Sequence, residues 1–173
     1  MHTAHHPDVI VRPARTCDIA RIREITAPYV DRDILVRKPP VTYYEGVHEF
    51  SVAWRGPMIV GCGALHVFWE DLAEIRTLAV AEEARGAGVG TAIVTRLISR
   101  ARQIGVERVF CLTFETRFFA SFGFEPIEGA PVTPAVFQAM LASYDEGTAE
   151  FLDLERVKPN TLGNTRMMLT LRA

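Results

Sequence analysis

Three closely spaced glycines near the middle of the chain constrain its fold more than any other feature. Residues 86–90 read Gly-Ala-Gly-Val-Gly, and they lie between a predicted strand over 74–80 and a predicted helix over 90–104. Without side chains in the way, successive backbone N–H groups in such a turn converge on an anion, and the helix start adds roughly half a positive charge. The sequence therefore predicts a strand–loop–helix unit that binds a phosphate group.

Strand-like and helix-like segments interleave along the whole chain. A length of 173 residues predicts a single domain, here residues 9–173, preceded by a flexible segment over residues 1–8. Thr16 is expected to cap the first helix, and Thr133 a later one whose apolar residues run to Tyr144; residues 147–163 are expected to form a long loop. The other strands are predicted at 9–11, 50–55, 58–69, 108–114, 124–128 and 167–171, and the short helices at 43–49 and 117–122. Interleaved strands and helices with hairpins favour a mixed α/β sheet.

Composition excludes several classes of protein. Nineteen basic and twenty-one acidic side chains give a formal charge of −2, which argues against nucleic acid as the main partner. The longest apolar stretch, Met58 to Trp69, is twelve residues and is too short to span a bilayer. Three widely spaced cysteines form neither a disulfide framework nor a metal-type pattern, and the His-containing N-terminus lacks further ligands. We expect a cytoplasmic protein with no metal, membrane or nucleic-acid partner.

Among known phosphate-binding loops, only one pattern fits the glycines. No lysine follows them as a Walker loop requires, and counting from Gly86 the last position of a dinucleotide fingerprint is Thr91. Arg85, Gly88 and Gly90 fit the pattern Arg-x-x-Gly-x-Gly, which resembles the acetyl-CoA diphosphate loop of the GNAT superfamily of N-acetyltransferases. The order that follows the loop, a helix, a strand, a short helix and Gly123-Phe124, is also similar to this superfamily. The resemblance implies the GNAT fold, with a mixed, mostly antiparallel sheet and flanking helices.

Further phrases are similar to the catalytic domain of N-acetylglutamate synthases. They include Leu35-Val36-Arg37-Lys38 and Leu112-Thr113-Phe114-Glu115-Thr116, and a tail with Lys158-Pro159-Asn160 looks like the short bacterial synthases. This resemblance implies an acetyl-CoA-dependent transfer to the α-amine of glutamate, or of glutamine, as the first step of arginine synthesis. A homodimer is a further expectation from the superfamily.

The resemblance also assigns roles to individual residues. The backbone of Leu78 would stabilise the thioester oxygen, Glu74 or alternatively Glu115 would act as general base, and Thr113 or a water would protonate the leaving thiolate. Phe119 stands where many GNAT enzymes have a tyrosine acid. The cofactor-binding residues expected in this way are Leu78, Ala79, Val80, Arg85, Gly86, Ala87, Gly88, Val89, Gly90, Thr91, Phe118 and Phe119.

Substrate recognition is predicted from charge. Arg37 and Lys38 match the basic pair of the synthases, and Lys158 or Arg166 would meet the second carboxylate of glutamate. Thr77, in the cofactor-binding strand, is a further expected substrate-binding residue. A covalent route through Cys62 or Cys111 is disfavoured because both lie among apolar strand residues. Two alternatives remain open: acetylation of another small amine, and a non-catalytic acyl-CoA sensor. The role of residues 129–163 is not assigned.

Overall fold

The computed structural model describes residues 9–155 and 163–171. The predicted flexible segment 1–8 and Lys158 lie outside the described residues. The strands are β1 (Val9–Pro13), β2 (Phe50–Arg55), β3 (Met58–Trp69), β4 (Leu72–Val80), β5 (Arg108–Thr113), β6 (Glu125–Pro126) and β7 (Thr165–Thr170). The α-helices are α1 (Ile19–Asp31), α2 (Pro40–Glu45), α3 (Val89–Gln103), α4 (Thr116–Ala120), α5 (Pro134–Met140) and α6 (Glu146–Phe151).

The seven strands are hydrogen-bonded in the order β1-β2-β3-β4-β5-β7-β6. The pairs β1–β2, β2–β3, β5–β7 and β6–β7 are antiparallel, whereas β4 and β5 pair in parallel through Leu72–Glu74. This mixed, mostly antiparallel sheet with flanking helices confirms the predicted fold class.

The chain divides into two compact units, and β3 and β4 contribute residues to both. Unit 1 contains the chain up to His66 together with Ile75–Ile104, and unit 2 contains Val67–Glu74 and the chain from Gly105 onward. The single domain expected over residues 9–173 stays a prediction.

In unit 1, two strand glycines allow α3 to pack closely on the sheet. A Cβ atom at Gly61 would lie 2.7 Å from Val89 Cγ1, and one at Gly63 would lie 2.8 Å from Ile93 Cγ2. Both distances are shorter than the contacts that real Cβ atoms make, so a larger residue at either position would push α3 away from the sheet. The buried stripe of α3 includes Ile93 and Leu97, both fully buried. The packing of β3 against α3 therefore fixes where the helix begins.

The first helix begins differently from the sequence-based expectation. Residues Thr16–Asp18 form a 3₁₀ turn, and the N-cap position of α1 is occupied by Asp18 and not by Thr16. Instead, the Asp18 carboxylate accepts a hydrogen bond from the Arg15 N–H at 2.7 Å and pairs with the Arg12 guanidinium at 2.7 Å. The predicted Thr16 cap is wrong because a charged carboxylate with two donors is a stronger acceptor than a hydroxyl.

In unit 2, an apolar cluster joins β5 to the tail helices. Leu72, Phe110, Met140, Phe151 and Leu152 are buried together, and the rings of Phe110 and Phe151 meet edge to face at 4.9 Å. Thr133 Oγ1 accepts the N–H of Val136 at 3.3 Å, which confirms the predicted cap of α5.

Two predictions about the tail are wrong. The helical stripe does not reach Tyr144, which is 99% exposed, because α5 ends at Met140. The expected loop over 147–163 includes most of α6, whose cap is Asp145: its carboxylate accepts the Thr148 N–H at 2.8 Å. This short helix covers Phe110 by burying Phe151, which is a tertiary contact that local spacing does not reveal.

Candidate acetyl-transfer site

The start of α3 has the geometry expected of an anion site. Gly88 precedes the helix at φ 75° and ψ 8°, and Gly86 also has φ 75°, a region that side chains disfavour. The N–H of Ala92 is bonded to the carbonyl of Gly88 at 3.0 Å. The amides of Val89, Gly90 and Thr91 precede this bond, in the first turn, where helix N–H groups have no acceptor within their own helix. These residues can donate hydrogen bonds to a diphosphate group.

The end of β4 is contacted by a tyrosine from α1. The hydroxyl of Tyr29 donates to the Val80 carbonyl at 2.7 Å and accepts from the Val80 N–H at 3.2 Å. Arg85 also contacts Tyr29, because its guanidinium lies 5.5 Å from the centre of the Tyr29 ring. The predicted cofactor residues Val80 and Arg85 are thus brought together by Tyr29.

Thr77 marks a strained position in β4. Among the strand residues that the structure describes, it is the one non-glycine residue with a positive φ, 55°. A β-branched residue rarely adopts this conformation, so the surrounding structure must hold it there. Its hydroxyl accepts a hydrogen bond from Lys38 Nζ at 3.3 Å. The predicted substrate residues Lys38 and Thr77 therefore lie in contact, beside Leu78.

A small pocket of unit 1 lies next to this contact. Its volume is about 270 Å³ including the part open to solvent, and its lining residues are Lys38, Thr42, Tyr43, Gly46, Glu49, Phe50, Ala64 and Arg76. Three of them carry charge: two cations, Lys38 and Arg76, and one anion, Glu49. The pocket is small, and its lining has a net positive charge.

The Glu49 carboxylate, which lines this pocket, contacts two other side chains. Glu49 Oε1 lies 2.7 Å from His66 Nδ1, and Oε2 lies 3.5 Å from Arg76 Nη2. Burial opposes ionisation of Glu49, but the hydrogen bond and charge of His66 and the charge of Arg76 outweigh it and lower the pKa of the carboxyl. Glu49 is therefore a carboxylate at neutral pH.

Unit 2 carries the two candidate bases. Glu74 lies on β4, is 4% exposed and is in register with Phe110 of the parallel strand β5. Burial, and secondarily the charge of Glu74, raise the pKa of the neighbouring thiol Cys111. Glu115 is exposed at the start of α4 and makes no side-chain cap there. Burial distinguishes the two candidates, since only Glu74 is shielded from water.

The remaining predicted residues of unit 2 lie around α4. Thr113 is buried at the end of β5, and its hydroxyl accepts the Glu115 N–H at 2.8 Å. Phe119 is 5% exposed and packs edge to face against Phe118 and Phe124, each with ring centres 5.2 Å apart. The aromatic residue at position 119 is thus explained by packing, whether or not it also contacts a cofactor.

Two predicted basic residues are not among those that line the pocket. The Arg37 side chain is 77% exposed and lies 3.3 Å from Asp31. Arg166 is engaged in unit 2, where its guanidinium donates to the carbonyls of Glu150 and Phe151 and lies 5.3 Å from the centre of the Phe110 ring. Arg166 therefore has a structural role at the end of α6.

The two strand cysteines, Cys62 and Cys111, are buried, which disfavours ionisation of their thiols. Burial raises the pKa of Cys62 to about 12, so its thiol stays protonated at neutral pH.

Within residues 9–155 and 163–171, no group of three or more His, Cys, Asp or Glu side chains is placed to hold a metal ion. No helix of the same residues is long and apolar enough to cross a bilayer.

Four residues described above were not predicted from the sequence as site residues: Tyr29, Glu49, His66 and Arg76. Each of them contacts a residue that is distant along the chain. For example, His66 on β3 contacts Glu49, which precedes β2. No local spacing signals such pairs, so only the three-dimensional structure reveals them.

Comparison with known proteins agrees with this geometry. Residues 19–124 match the model of the Acetyltransferase (GNAT) family. The chain is 54% identical over 165 residues to an amino-acid acetyltransferase of Mycobacterium tuberculosis, covering 94% of each protein. It is 35% identical over 144 residues to an amino-acid acetyltransferase of Pseudomonas putida, covering 82% of this chain and 33% of that protein.

Solved structures are similar as well. The M. tuberculosis protein Rv2747, in complex with CoA and NLQ, superposes with a TM-score of 0.92 at 54% identity, covering 94% of this chain and 99% of that one. An N-acetylglutamate synthase from Neisseria gonorrhoeae shares the fold, with a TM-score of 0.77 at 24% identity over 95% of this chain and 35% of that one. The chain belongs to the GNAT family of acetyltransferases.

Proposed function

We propose that this protein transfers the acetyl group of acetyl-CoA to the α-amine of glutamate or glutamine. The observation that carries the proposal is the start of α3, where Gly88 precedes the helix at positive φ and the first-turn amides have no acceptor within their own helix. The similarity to a relative named amino-acid acetyltransferase, and to Rv2747 in complex with CoA and NLQ, supports an amino acid as acceptor. With glutamate, the reaction would be the first step of arginine synthesis.

Binding of the donor is assigned to unit 1. The amides of residues 86–91 hold the diphosphate, and the backbone of Leu78, Ala79 and Val80 pairs with the pantetheine arm. The Leu78 N–H, next to the strained Thr77, is the donor for the thioester carbonyl oxygen. Such a fixed donor stabilises the negative charge that develops on this oxygen without reorganisation during the reaction.

The chemical step is a direct transfer. The neutral amine attacks the thioester carbon, the carbon–sulfur bond breaks, and coenzyme A leaves as a thiolate. Glu74 takes the proton of the substrate ammonium, directly or through a water, and Glu115 is the alternative base. The nitrogen loses its second proton as the amide forms, and Thr113 or a water relays a proton to the thiolate. Because the pKa of a thiol is near 8.5, its departure as a thiolate costs only about 2 kcal/mol at pH 7. A phenylalanine at position 119, which cannot donate a proton, is therefore compatible with turnover.

Recognition of the amino acid is assigned to cationic and hydroxyl side chains. Lys38 and Thr77 meet the substrate near the reacting strand, and their 3.3 Å contact supports this pairing. Arg37 is proposed to meet the same end of the substrate as Lys38, and Lys158 the second end. Phe118 and Phe119 are proposed to contact the cofactor. We also propose that the protein is cytoplasmic and forms a homodimer.

The test is release of coenzyme A from acetyl-CoA with each of the twenty amino acids and a panel of small amines. We expect glutamate or glutamine to stimulate release above all others. Stimulation by another amine alone would assign a different acetyltransferase activity. Binding of acetyl-CoA without any turnover would favour the acyl-CoA sensor.

A further inference from the structure

The hydroxyl of Tyr29 bonds to both backbone polar groups of one strand residue. It donates to the Val80 carbonyl at 2.7 Å and accepts from the Val80 N–H at 3.2 Å. The next N–H along the chain, that of Ala81, donates to the Val60 carbonyl of β3 at 2.8 Å. Because the backbone groups of successive strand residues point to opposite edges, Val80 presents its N–H and carbonyl at the edge of β4 away from β3. Along that edge, the described pairing of β4 with β5 covers Leu72–Glu74, well before Val80.

This edge is where the pantetheine arm is proposed to bind. The arm contains amide groups, each with one N–H donor and one carbonyl acceptor, and such groups pair with a strand backbone. A tyrosine hydroxyl also donates and accepts, so at Val80 it satisfies the same two groups as an amide of the cofactor would. The hydroxyl and the arm cannot both hold these groups. Binding of the arm at Val80 therefore requires the hydroxyl of Tyr29 to leave.

The main chain of Tyr29 is bonded to the segment that carries the proposed substrate cations. Its carbonyl accepts the N–H groups of Ile34 at 2.9 Å and of Leu35 at 3.3 Å. The chain reverses there, after the end of α1, through Asp33 at φ 56°. The position of segment 34–38 thus depends on the position of Tyr29, whose side chain is held by β4.

The far end of segment 34–38 makes two further contacts. Lys38 Nζ donates to Thr77 Oγ1 of β4 at 3.3 Å, and Arg37 lies 3.3 Å from Asp31 at the end of α1. As long as the end of α1 stays attached to β4, both cations keep these internal partners. Once the attachment is released, the segment is free to move and both cations can turn to a substrate carboxylate instead.

We propose that Tyr29 links the two substrate sites: the pantetheine arm displaces its hydroxyl from Val80, and this release favours binding of the amino acid by segment 34–38. The inference rests on the proposed function, since it requires acetyl-CoA and an amino acid as the two substrates. Two arrangements suffice, one with the hydroxyl on Val80 and one without it, and both ligands prefer the second. Such coupling is reciprocal, so the amino acid must tighten CoA by the same factor as CoA tightens the amino acid.

The experiment is titration calorimetry of CoA with and without a saturating amino acid. The amino acid is glutamate or glutamine, whichever the wild-type protein acetylates with the higher kcat/KM. CoA carries no acetyl group, so binding is measured without turnover. For the wild type, we expect the amino acid to lower the Kd of CoA by about 3- to 10-fold, the range of one hydrogen bond between neutral groups.

Tyr29→Phe removes the hydroxyl and keeps the ring, which lies between 5 and 6 Å from the guanidinium groups of Arg32 and Arg85. Without its internal competitor, this variant should bind CoA alone as tightly as the wild type binds it with the amino acid present. Adding the amino acid should then change the Kd by less than about 2-fold, because the binding-competent arrangement is already populated. A residue that only supports the fold would instead weaken CoA binding under both conditions when it is changed.

The matched control is Tyr144→Phe, which removes the hydroxyl of a side chain that is 99% exposed and should behave as the wild type. A wild-type protein that acetylates the amino acid but binds CoA equally with and without it would overturn this inference alone. A Tyr29→Phe variant that keeps the full effect, or that binds CoA more weakly, would do the same. A wild-type protein that binds CoA and acetylates neither amino acid would overturn the proposed function and the inference with it.

Discussion

The close packing of β3 against α3 makes Gly61 a direct link between the core and the proposed cofactor site. In Gly61→Ala, the new methyl group would lie 2.7 Å from Val89 Cγ1, 2.9 Å from Ile93 Cδ1 and 3.2 Å from the Ala79 carbonyl oxygen. Val89 is β-branched and has little rotamer freedom, so the contact must be relieved by moving the start of α3. Overpacking of this kind costs about 1–3 kcal/mol.

Two measurements follow from this contact. The melting temperature of Gly61→Ala should fall by about 2–12 °C, from about 2–4 °C per kcal/mol for a chain of this size. Affinity for CoA should also fall, by about 10- to 150-fold if displacement of the first turn costs one charge-assisted hydrogen bond to the diphosphate. Differential scanning calorimetry and isothermal titration calorimetry provide the two values.

A matched control lies just beyond the other end of α3. Gly105 has φ 87°, and no atom lies within 4 Å of the position that a Cβ would take there. Gly105→Ala therefore introduces backbone strain without a clash. We expect this variant to lose stability, by about 1 kcal/mol, and to bind CoA as the wild type does. A Gly61→Ala variant that melts lower but binds CoA normally would refute the proposed coupling between β3 packing and the amides of α3.

Three further outcomes are expected. Glu74→Gln should lower kcat by about 10²- to 10⁴-fold with CoA affinity retained, measured by steady-state kinetics and calorimetry, and an unchanged kcat would exclude Glu74 as general base. Tyr29→Phe removes a hydroxyl that occupies the N–H and carbonyl of Val80, so CoA should bind about 3- to 10-fold more tightly in calorimetry; weaker binding would instead make Tyr29 a cofactor ligand. A thiol reagent at pH 8 should label the exposed Cys17 rapidly and Cys62, with its pKa raised to about 12 by burial, only after denaturant is added; fast labelling of both would contradict the buried position.

The elements that the sequence predicted well are those with a strong local signal. The strands at Phe50–Arg55 and Met58–Trp69 have the predicted bounds, and α3 differs from its prediction by one residue at each end. Runs of β-branched and apolar residues define the strands, and glycines on both sides define the helix. Glycines at specific positions also predicted the loop that precedes α3.

The elements that were missed depend on contacts between distant residues. The helix α6 is six residues long and is stabilised by burying Phe151 against Phe110, 41 positions earlier in the chain. The same is true of Glu49, whose partners His66 and Arg76 lie on two different strands. Short helices and long-range ion pairs have no periodicity of their own, so sequence patterns do not predict them.

The central claim is that the backbone amides at the start of α3 hold the diphosphate of coenzyme A. Titration calorimetry that compares CoA with pantetheine, which has the same thiol arm but lacks the diphosphate and the adenosine 3′-phosphate joined to it, tests it most directly. We expect saturable binding of CoA, and affinity for pantetheine lower by at least 100-fold. Equal binding of the two, or no saturable heat with CoA at millimolar concentration, would contradict the account.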